Sequence, residues 1–584
     1  METKTKLKTQ WLDVALILLL MGVPLFLMWV FDVKVVFFNN DDFYIEEVVS
    51  GYFTGTPQSH LIHIGYLTGL LLSRLYMILP SVPWYGIFLF SMLYGSIIYA
   101  FSAMLLKLSK IRHKFIFLVV ALYIICAFFF CHLINIQYTT VTIAVCMASV
   151  IAFVLAEDKT NWKEYLKENI VGYIFFFLSF NIRDKACLMV LPIFFFVGVS
   201  KVLKDKKMFQ SVSSYALGLL VIIFFLFGVE RIAYWGEPWN EFERYNTARE
   251  QVMDYAWFPP YEENVDLYDE LGISEQSYVS ATTRYQVLLD DNINLNFMET
   301  IMTVPNDDKQ MDLRELLYFL VHRHLKSSLD RPLNIVVYFM YISVIIVALV
   351  SRKYSSLCDV LALFLGRMVI WTYLIYIDRS LPRVTQGIYI IELMSLLTII
   401  ITNSLWIDRK KEHAGLPRVV GGLIFIGIIA ISHICGFTNT VSACVNNTEC
   451  INYASCYKEV REYCNQNADK LFMADTFGFI SFTDSIFGTA EKSEANLILL
   501  GTWVANSPWT EQIAERYNIE SYEEAAICQD NVYFIFVDNE SLPWQYLADY
   551  YAEKYPGSIM EVEDVIETTY GQNFLVLKVK MESK

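Results

Sequence analysis

The run Asn39-Asn40-Asp41-Asp42-Phe43-Tyr44-Ile45-Glu46-Glu47 places four carboxylates within seven residues, just after the first long apolar stretch of a 584-residue chain. A carboxylate in a partly desolvated cleft is poised to take a proton from an incoming hydroxyl, and a divalent metal ion is held by the same groups. The plainer role for this run is a solvated acidic loop in which Asp42 caps the next helix. Cations occupy equally unusual positions. Arg183 and Lys185 sit in the tight turn Asn181-Ile182-Arg183-Asp184-Lys185, and Arg379 and Arg383 in Asp378-Arg379-Ser380-Leu381-Pro382-Arg383, each between two apolar runs. Arg grips phosphate oxygens with two parallel hydrogen bonds and Lys supplies a point charge. The competing role is snorkelling, or pairing with Asp184 and Asp378.

The elements that must position these groups are membrane helices. The chain is 55% hydrophobic and 18% charged, with mean hydropathy +0.40. Runs long enough to cross about 30 Å of hydrocarbon recur along its first three quarters. They predict eleven spans: Trp11–Phe31, Trp84–Leu106, Phe115–Leu133, Tyr138–Ala156, a short one at Asn169–Asn181, Ala186–Leu203, Ser211–Val229, Leu333–Val350, Cys358–Ile377, Ile388–Trp406 and Val419–Phe437. Lys4, Lys6 and Lys8, then the loops carrying Lys107 to Lys114, Lys201 to Lys207, Arg352 and Lys353, and Arg409 to Lys411, all fall on one side if the first helix runs outward. That puts the N-terminus in the cytoplasm. The first run lacks a small-residue cleavage site and reads as a retained helix. Leu61–Leu79 is apolar but carries His63 and Arg74, and counting it as a span would throw Lys107–Lys114 outside; it reads as an interfacial or re-entrant helix.

Residues 1–437 therefore read as an all-α polytopic bundle with outer segments 32–83 and 230–332, and residues 438–584 as a small extracytoplasmic α/β domain. In the latter, Leu471–Asp475, Leu497–Gly501, Val532–Asp538 and Phe574–Lys580 have strand character, and Pro508–Tyr517 and Leu542–Tyr555 helical character. Cys444, Cys450, Cys456, Cys464 and Cys528 lie there, where disulfides persist. Their number is odd and their pairing is not readable from spacing; without a tight CxxC or a histidine, a zinc site is the lesser alternative. The net charge of −16 is concentrated in the outer segments, which argues against nucleic acid as a partner. Arg367, in the middle of the ninth span, must face the bundle interior or a wet cavity. Leu313–Leu320 followed by His322-Arg323-His324-Leu325-Lys326 suggests a second interfacial helix bringing cations to lipid headgroups.

A retained first helix, an outer loop opening on an acidic pair, an interfacial helix and then the second span resemble the GT-C class of polyprenyl-phosphate-sugar glycosyltransferases. That class includes protein O-mannosyltransferases, oligosaccharyltransferase and aminoarabinose lipid A transferases. The run Ser50-Gly51-Tyr52-Phe53-Thr54-Gly55-Thr56-Pro57 through His60, then Leu75-Tyr76 and Pro83-Trp84-Tyr85, is similar to uncharacterised bacterial proteins of this kind. The resemblance implies an inverting sugar transferase in the cell membrane, with Asp41 or Asp42 as catalytic base or metal-site residue. A polyprenyl-phosphate-linked sugar would be the donor, and an envelope glycan, lipid or protein the acceptor. Arg183, Lys185, Arg379 and Arg383 are then the candidates for the donor phosphate. Glu46, His60, Arg244, Arg249 and Asp254 are candidates for other substrate contacts, beside aromatics able to stack on sugar rings; a packed helix with its own ion pairs is the plainer role for the 235–255 stretch. A divalent metal ion is a possible cofactor. An envelope polysaccharide polymerase or ligase, or a transporter, are the alternatives; the paired inverted halves and broken helices usual in transporters are not evident.

Overall fold

The structure is a computed structural model that describes residues 2–304, 311–325, 329–403, 437–479, 482–488, 493–539 and 544–582, with Gly427 and Ala430. Among the described residues, nine helices are long and apolar enough to cross a membrane: Gln10–Val30, Trp84–Lys107, Ile111–Ile134, Tyr138–Leu155, Asp184–Lys204, Lys206–Ala233, Leu333–Val350, Ser355–Tyr376 and Pro382–Thr402. These correspond to nine of the expected spans. The short fifth span is a 13-residue helix, Ile170–Ile182, and the eleventh lies outside the described residues except for Gly427, Ala430 and Phe437. Tyr66–Ile78 forms a helix of 13 residues, too short to cross.

Tyr138–Leu155 is the central post of the bundle, with 17 of its 18 residues buried. In lipid there is little hydrophobic drive between helices, so close packing at small residues and hydrogen bonds across helices do the work. Ser149 Oγ donates to the Gly172 carbonyl at 2.6 Å and Ser179 Oγ to the Thr142 carbonyl at 3.0 Å, tying Tyr138–Leu155 to Ile170–Ile182. Gly387 lets Pro382–Thr402 lie against Ile143, where a Cβ would meet that side chain at 2.7 Å. Arg367 does face inward: its Nε lies 3.1 Å from Glu392 Oε1, and its guanidinium sits over the rings of Tyr338, Trp371 and Tyr389.

Two of the basic loops meet at one end. Lys204 pairs with Asp359, Asn403 donates to the same carboxylate at 3.1 Å, and Lys353 donates to the Asn403 carbonyl at 2.7 Å. Near the opposite end, the helix Leu313–Leu325 turns Arg323 into the protein rather than toward headgroups. It pairs with Asp330 at 3.1 Å and donates to the Ser380 carbonyl at 3.0 Å, because a buried Asp330 needs a cation more than the interface does. Lys326 lies outside the described residues.

The C-terminal part opens with a helix not anticipated from sequence, Phe437–Gln466, followed by a five-stranded sheet. Strands β1 (Val36–Phe37) and β2 (Asn135–Ile136) form a small parallel ladder of their own. The sheet comprises β3 (Leu471–Ala474), β4 (Leu497–Leu499), β5 (Val532–Val537), β6 (Ser558–Ile566) and β7 (Phe574–Met581), in the order β4-β3-β5-β7-β6. The first three run parallel and the last two antiparallel to their neighbours. The five cysteines of this part are free thiols. What joins it to the bundle is polar and specific. Ile486 N–H donates to the Val35 carbonyl, Thr483 Oγ1 to the Phe37 carbonyl, and Asn447 to the carbonyls of Lys34 and Ile134. Arg461 pairs with Glu47 between the rings of Tyr52 and Tyr457.

Candidate active site

The acidic helix runs Asn40–Ser50, so it starts three residues earlier than an Asp42 cap would have it, with Asn39 at the N-cap position and both aspartates in the first turn. There the helix dipole favours negative charge. Successive residues project about 100° apart on a helix, which separates the pair. Asp41 lines a large cavity and accepts a hydrogen bond from Asn39 Nδ2 at 2.9 Å. Asp42 is fully buried behind it. Tyr85 Oη donates to Asp42 Oδ1 at 2.8 Å, and the Tyr138 N–H reaches both oxygens at 3.2 and 3.3 Å. Burial drives the Asp42 carboxyl well above the usual carboxylate range; the Tyr85 bond opposes this, the Asp41 charge adds to it, and the Tyr138 bond opposes it again. Asp42 thus braces the acidic helix against the starts of two membrane helices.

The cavity measures about 780 Å³ and gathers residues from the segments 32–83 and 230–332, both cationic turns and the C-terminal domain. Arg183 leaves the end of Ile170–Ile182 in an extended conformation, donates to Thr139 Oγ1 at 2.7 Å and lies 4.7 Å from the Tyr138 ring centre. Lys185 pairs with Glu250 at 2.8 Å, and Arg379 with Asp254 at 3.5 Å while covering the Tyr255 ring at 4.2 Å. Arg383 opens the helix Pro382–Thr402. Arg249, nearly buried, bonds Asn246 Oδ1 at 2.9 and 3.1 Å. A π-helical stretch, Glu250–Ala256, follows it and delivers Glu250, Asp254 and Tyr255 to the cavity wall; such turns recur at functional sites. Five cations thus face three carboxylates, and among the described residues Arg183, Arg249 and Arg383 have no carboxylate partner.

Below the cations the wall is apolar. Leu188, Met189 and Pro192 come from one membrane helix, and Val369, Ile370 and Tyr373 from another. Val369 and Tyr373 are both exposed.

The structure therefore brings together Asp41, Arg183, Lys185, Arg379, Arg383, Arg249 and Asp254. It does not bring Asp42, Glu46, His60 or Arg244 to the same cavity. Glu46 receives the Tyr76 hydroxyl at 3.3 Å and faces a separate space of about 70 Å³ beside Arg461 and Asp484. Burial raises its pKa to about 8, against the pull of the Tyr76 bond. His60 stacks on Trp239 at 4.2 Å, and Arg244 is taken up by Glu299 at 2.8 Å. His63, for which the sequence favours packing or headgroup contact, lines the cavity instead, with φ at +69° and its ring parallel to Tyr138. Burial and then the charges of Arg183, Arg249, Lys185 and Arg383 hold its pKa well below normal, so it is neutral. Thr502 and Trp503, from the loop after β4, complete the wall; nothing in their sequence context marked them. As for a divalent ion, no group of three His, Cys, Asp or Glu that could hold one occurs among the described residues.

No family model matches the sequence, and no curated protein matches it. Two solved structures are similar. One is ArnT from Cupriavidus metallidurans bound to undecaprenyl phosphate, 9% identical over 97% of this chain and 98% of that one, with a TM-score of 0.35. The other is the Archaeoglobus fulgidus oligosaccharyltransferase in the apo form, 12% identical over 90% of this chain and 69% of that one, with a TM-score of 0.41.

Proposed function

We propose that the protein transfers a sugar from a polyprenyl-phosphate carrier to a hydroxyl of an envelope glycan, lipid or protein on the outer face of the membrane. The observation that carries this reading is a single cavity lined by Asp41, by a set of guanidinium groups and by apolar side chains of two membrane helices. The carrier's chain lies along Val369, Tyr373 and Met189, and its phosphate is held by Arg183 and Arg383, with Arg249, Arg379 and Lys185 around them. The acceptor oxygen attacks the anomeric carbon as its proton passes to Asp41. A bond from that carbon to the acceptor oxygen forms, the bond to the phosphate oxygen breaks, and the electron pair leaves with the lipid phosphate. Attack opposite the leaving group inverts the anomeric centre. A transporter would need no such carboxylate facing the anion site.

Titration of purified protein with undecaprenyl phosphate tests the anion site. Arg183→Lys and Arg383→Lys keep the charge but lose the paired hydrogen bonds, each worth about 1.5–3 kcal/mol. Affinity is expected to fall roughly tenfold or more, at about 1.4 kcal/mol per decade. Lys353→Ala, at the other end of the bundle, should bind as wild type does. Undiminished binding by both arginine variants, or none by the wild type, would remove the support for a lipid-phosphate donor. Orientation is tested separately in a cysteine-free background. Cysteines introduced near Ser274 and Asn539 should react with an impermeant reagent added outside, and those near Lys204 and Lys353 should not; the reverse pattern would put the site in the cytoplasm.

A further inference from the structure

The loop that carries His63 is clamped on both sides. The Leu61 N–H donates to Tyr234 Oη at 2.9 Å, that hydroxyl donates back to the Leu61 carbonyl at 2.9 Å, and the Gly65 N–H donates to the Asn181 carbonyl at 2.8 Å. The approach at Gly65 is so close that a Cβ there would lie 2.9 Å from the same carbonyl oxygen. Between the clamps His63 takes its left-handed φ of +69°, which histidine adopts more readily than most side chains. Its ring lies parallel to Tyr138 at 5.9 Å, and the Arg183 guanidinium covers the same phenol at 4.7 Å. Among the described residues neither ring nitrogen of His63 has a hydrogen-bond partner, and both remain accessible. We infer that His63 is a further ligand-binding residue of the anion site proposed above: uncharged in the free protein, it takes up a proton when a phosphate enters and adds an imidazolium to the cations that hold it. This inference rests on that reading.

The charges on every side of the ring support it. In the large cavity His63 stands with five cations, Arg183, Lys185, Arg249, Arg379 and Arg383, and with Asp41, Glu250 and Asp254. A second cavity of about 210 Å³ shares His63, Arg183, Lys185 and Glu250 with the first and adds Asp184, Glu230 and Glu243. These carboxylates have other partners. Asp41 is bonded by Asn39, Asp254 is paired with Arg379 and Glu250 with Lys185; Asp184 accepts the Lys185 N–H at 2.6 Å, Glu230 the Tyr66 N–H at 3.0 Å, and Glu243 lies 3.6 Å from Arg231. Among the described residues none of them pairs with His63. A sixth fixed cation would add repulsion to the free protein, whereas an imidazole carries its charge only when a counter-charge is present. A phosphate brings one to two negative charges into this setting and offsets the repulsion of the arginines. Once protonated, both ring nitrogens are donors, and a phosphate oxygen accepts from the one that faces it.

Protonation on binding adds affinity below the pKa that His63 has in the complex, and this gain is lost as pH rises through that value. Binding of undecaprenyl phosphate to the full-length protein at pH 6, 7 and 8 is compared for wild type and for His63→Asn, a side chain that does not titrate and accepts a left-handed φ. The ligand's own phosphate proton, with a pKa of about 6, contributes equally to both proteins and drops out of the comparison. The ratio of wild-type to variant affinity is expected to fall about tenfold from pH 6 to pH 8. Imidazole carbon NMR of histidine-labelled wild type at pH 7 should show one resonance moving to the imidazolium position on addition of undecaprenyl phosphate, and that resonance should be missing from His63→Asn. His63→Gly, unstrained at this φ, replaces the variant if His63→Asn does not fold. A ratio that stays within about twofold across the range, or a His63 resonance that stays at its neutral position, refutes the proton uptake while the lipid-phosphate reading stands. If the wild type binds no undecaprenyl phosphate, the underlying reading fails with it.

Discussion

Asp41→Asn is expected to lower the rate of sugar transfer by about 10²–10⁴-fold, the usual contribution of a positioned general base, which is about 2.7–5.4 kcal/mol of barrier. Asp42→Asn should leave transfer nearly intact. The two residues are neighbours in sequence and identical in type, so their difference is wholly one of environment. Asp41 faces the cavity with one amide partner. Asp42 has its oxygens filled by Tyr85 and the Tyr138 N–H, and burial raises its pKa, so an amide of the same shape is tolerated there. Removing the side chain is another matter. Asp42→Ala strands the Tyr85 hydroxyl and a backbone N–H, and should cost about 1–3 kcal/mol of stability. Transfer assays and thermal melts on the three variants decide the matter. An active Asp41→Asn protein beside an inactive Asp42→Asn one would exchange the two roles.

The second large effect lies within the membrane. Arg367→Met leaves Glu392 buried beside Tyr341 without its cation, and breaking one half of a buried pair costs about 3–5 kcal/mol. The bilayer offers no water to relieve the orphaned charge. The double variant Arg367→Met, Glu392→Leu removes both charges and should recover much of the loss, because the desolvation of both ions disappears with their attraction. Unfolding in detergent, followed for both single variants and the double, measures the coupling. Purely additive losses would mean that the pair does not act as a unit.

Hydropathy and charge made the membrane architecture legible because a spanning helix must be long, apolar and flanked by asymmetric cations. The same physics hid Glu392. A lone carboxylate in an apolar run does not interrupt the pattern, and only the facing arrangement of Arg367 explains it. In the C-terminal part the four buried strands were readable. The edge strand β6 was not, since Glu561, Glu563 and Asp564 dilute its apolar content, as suits a strand with one side unpaired. The long helix Phe437–Gln466 was obscured by its polar surface and by cysteines that suggested bridges which the structure does not make. At the site, residue type pointed to the cations of the two turns, and the fold collected them. Helical phase decided between Asp41 and Asp42, and tertiary packing removed Glu46, His60 and Arg244 to other partners. Thr502 and Trp503 reach the cavity through contacts between distant segments, for which a single sequence holds no local signal.

The ladder beneath the acidic helix has a consequence for how the protein is made. Val36 and Phe37 pair with β2, and their other side is finished by Thr483, Asp484 and Ile486, with Thr483 lying 446 residues downstream of Phe37. During synthesis the membrane helices that carry the turns are made first, while the strand supporting Asp41 keeps an open edge until the C-terminal segment has been made and has packed against it. Contacts so distant in sequence form late. A nascent chain therefore holds its carboxylate on an unfinished support, and the site matures only when biogenesis is complete.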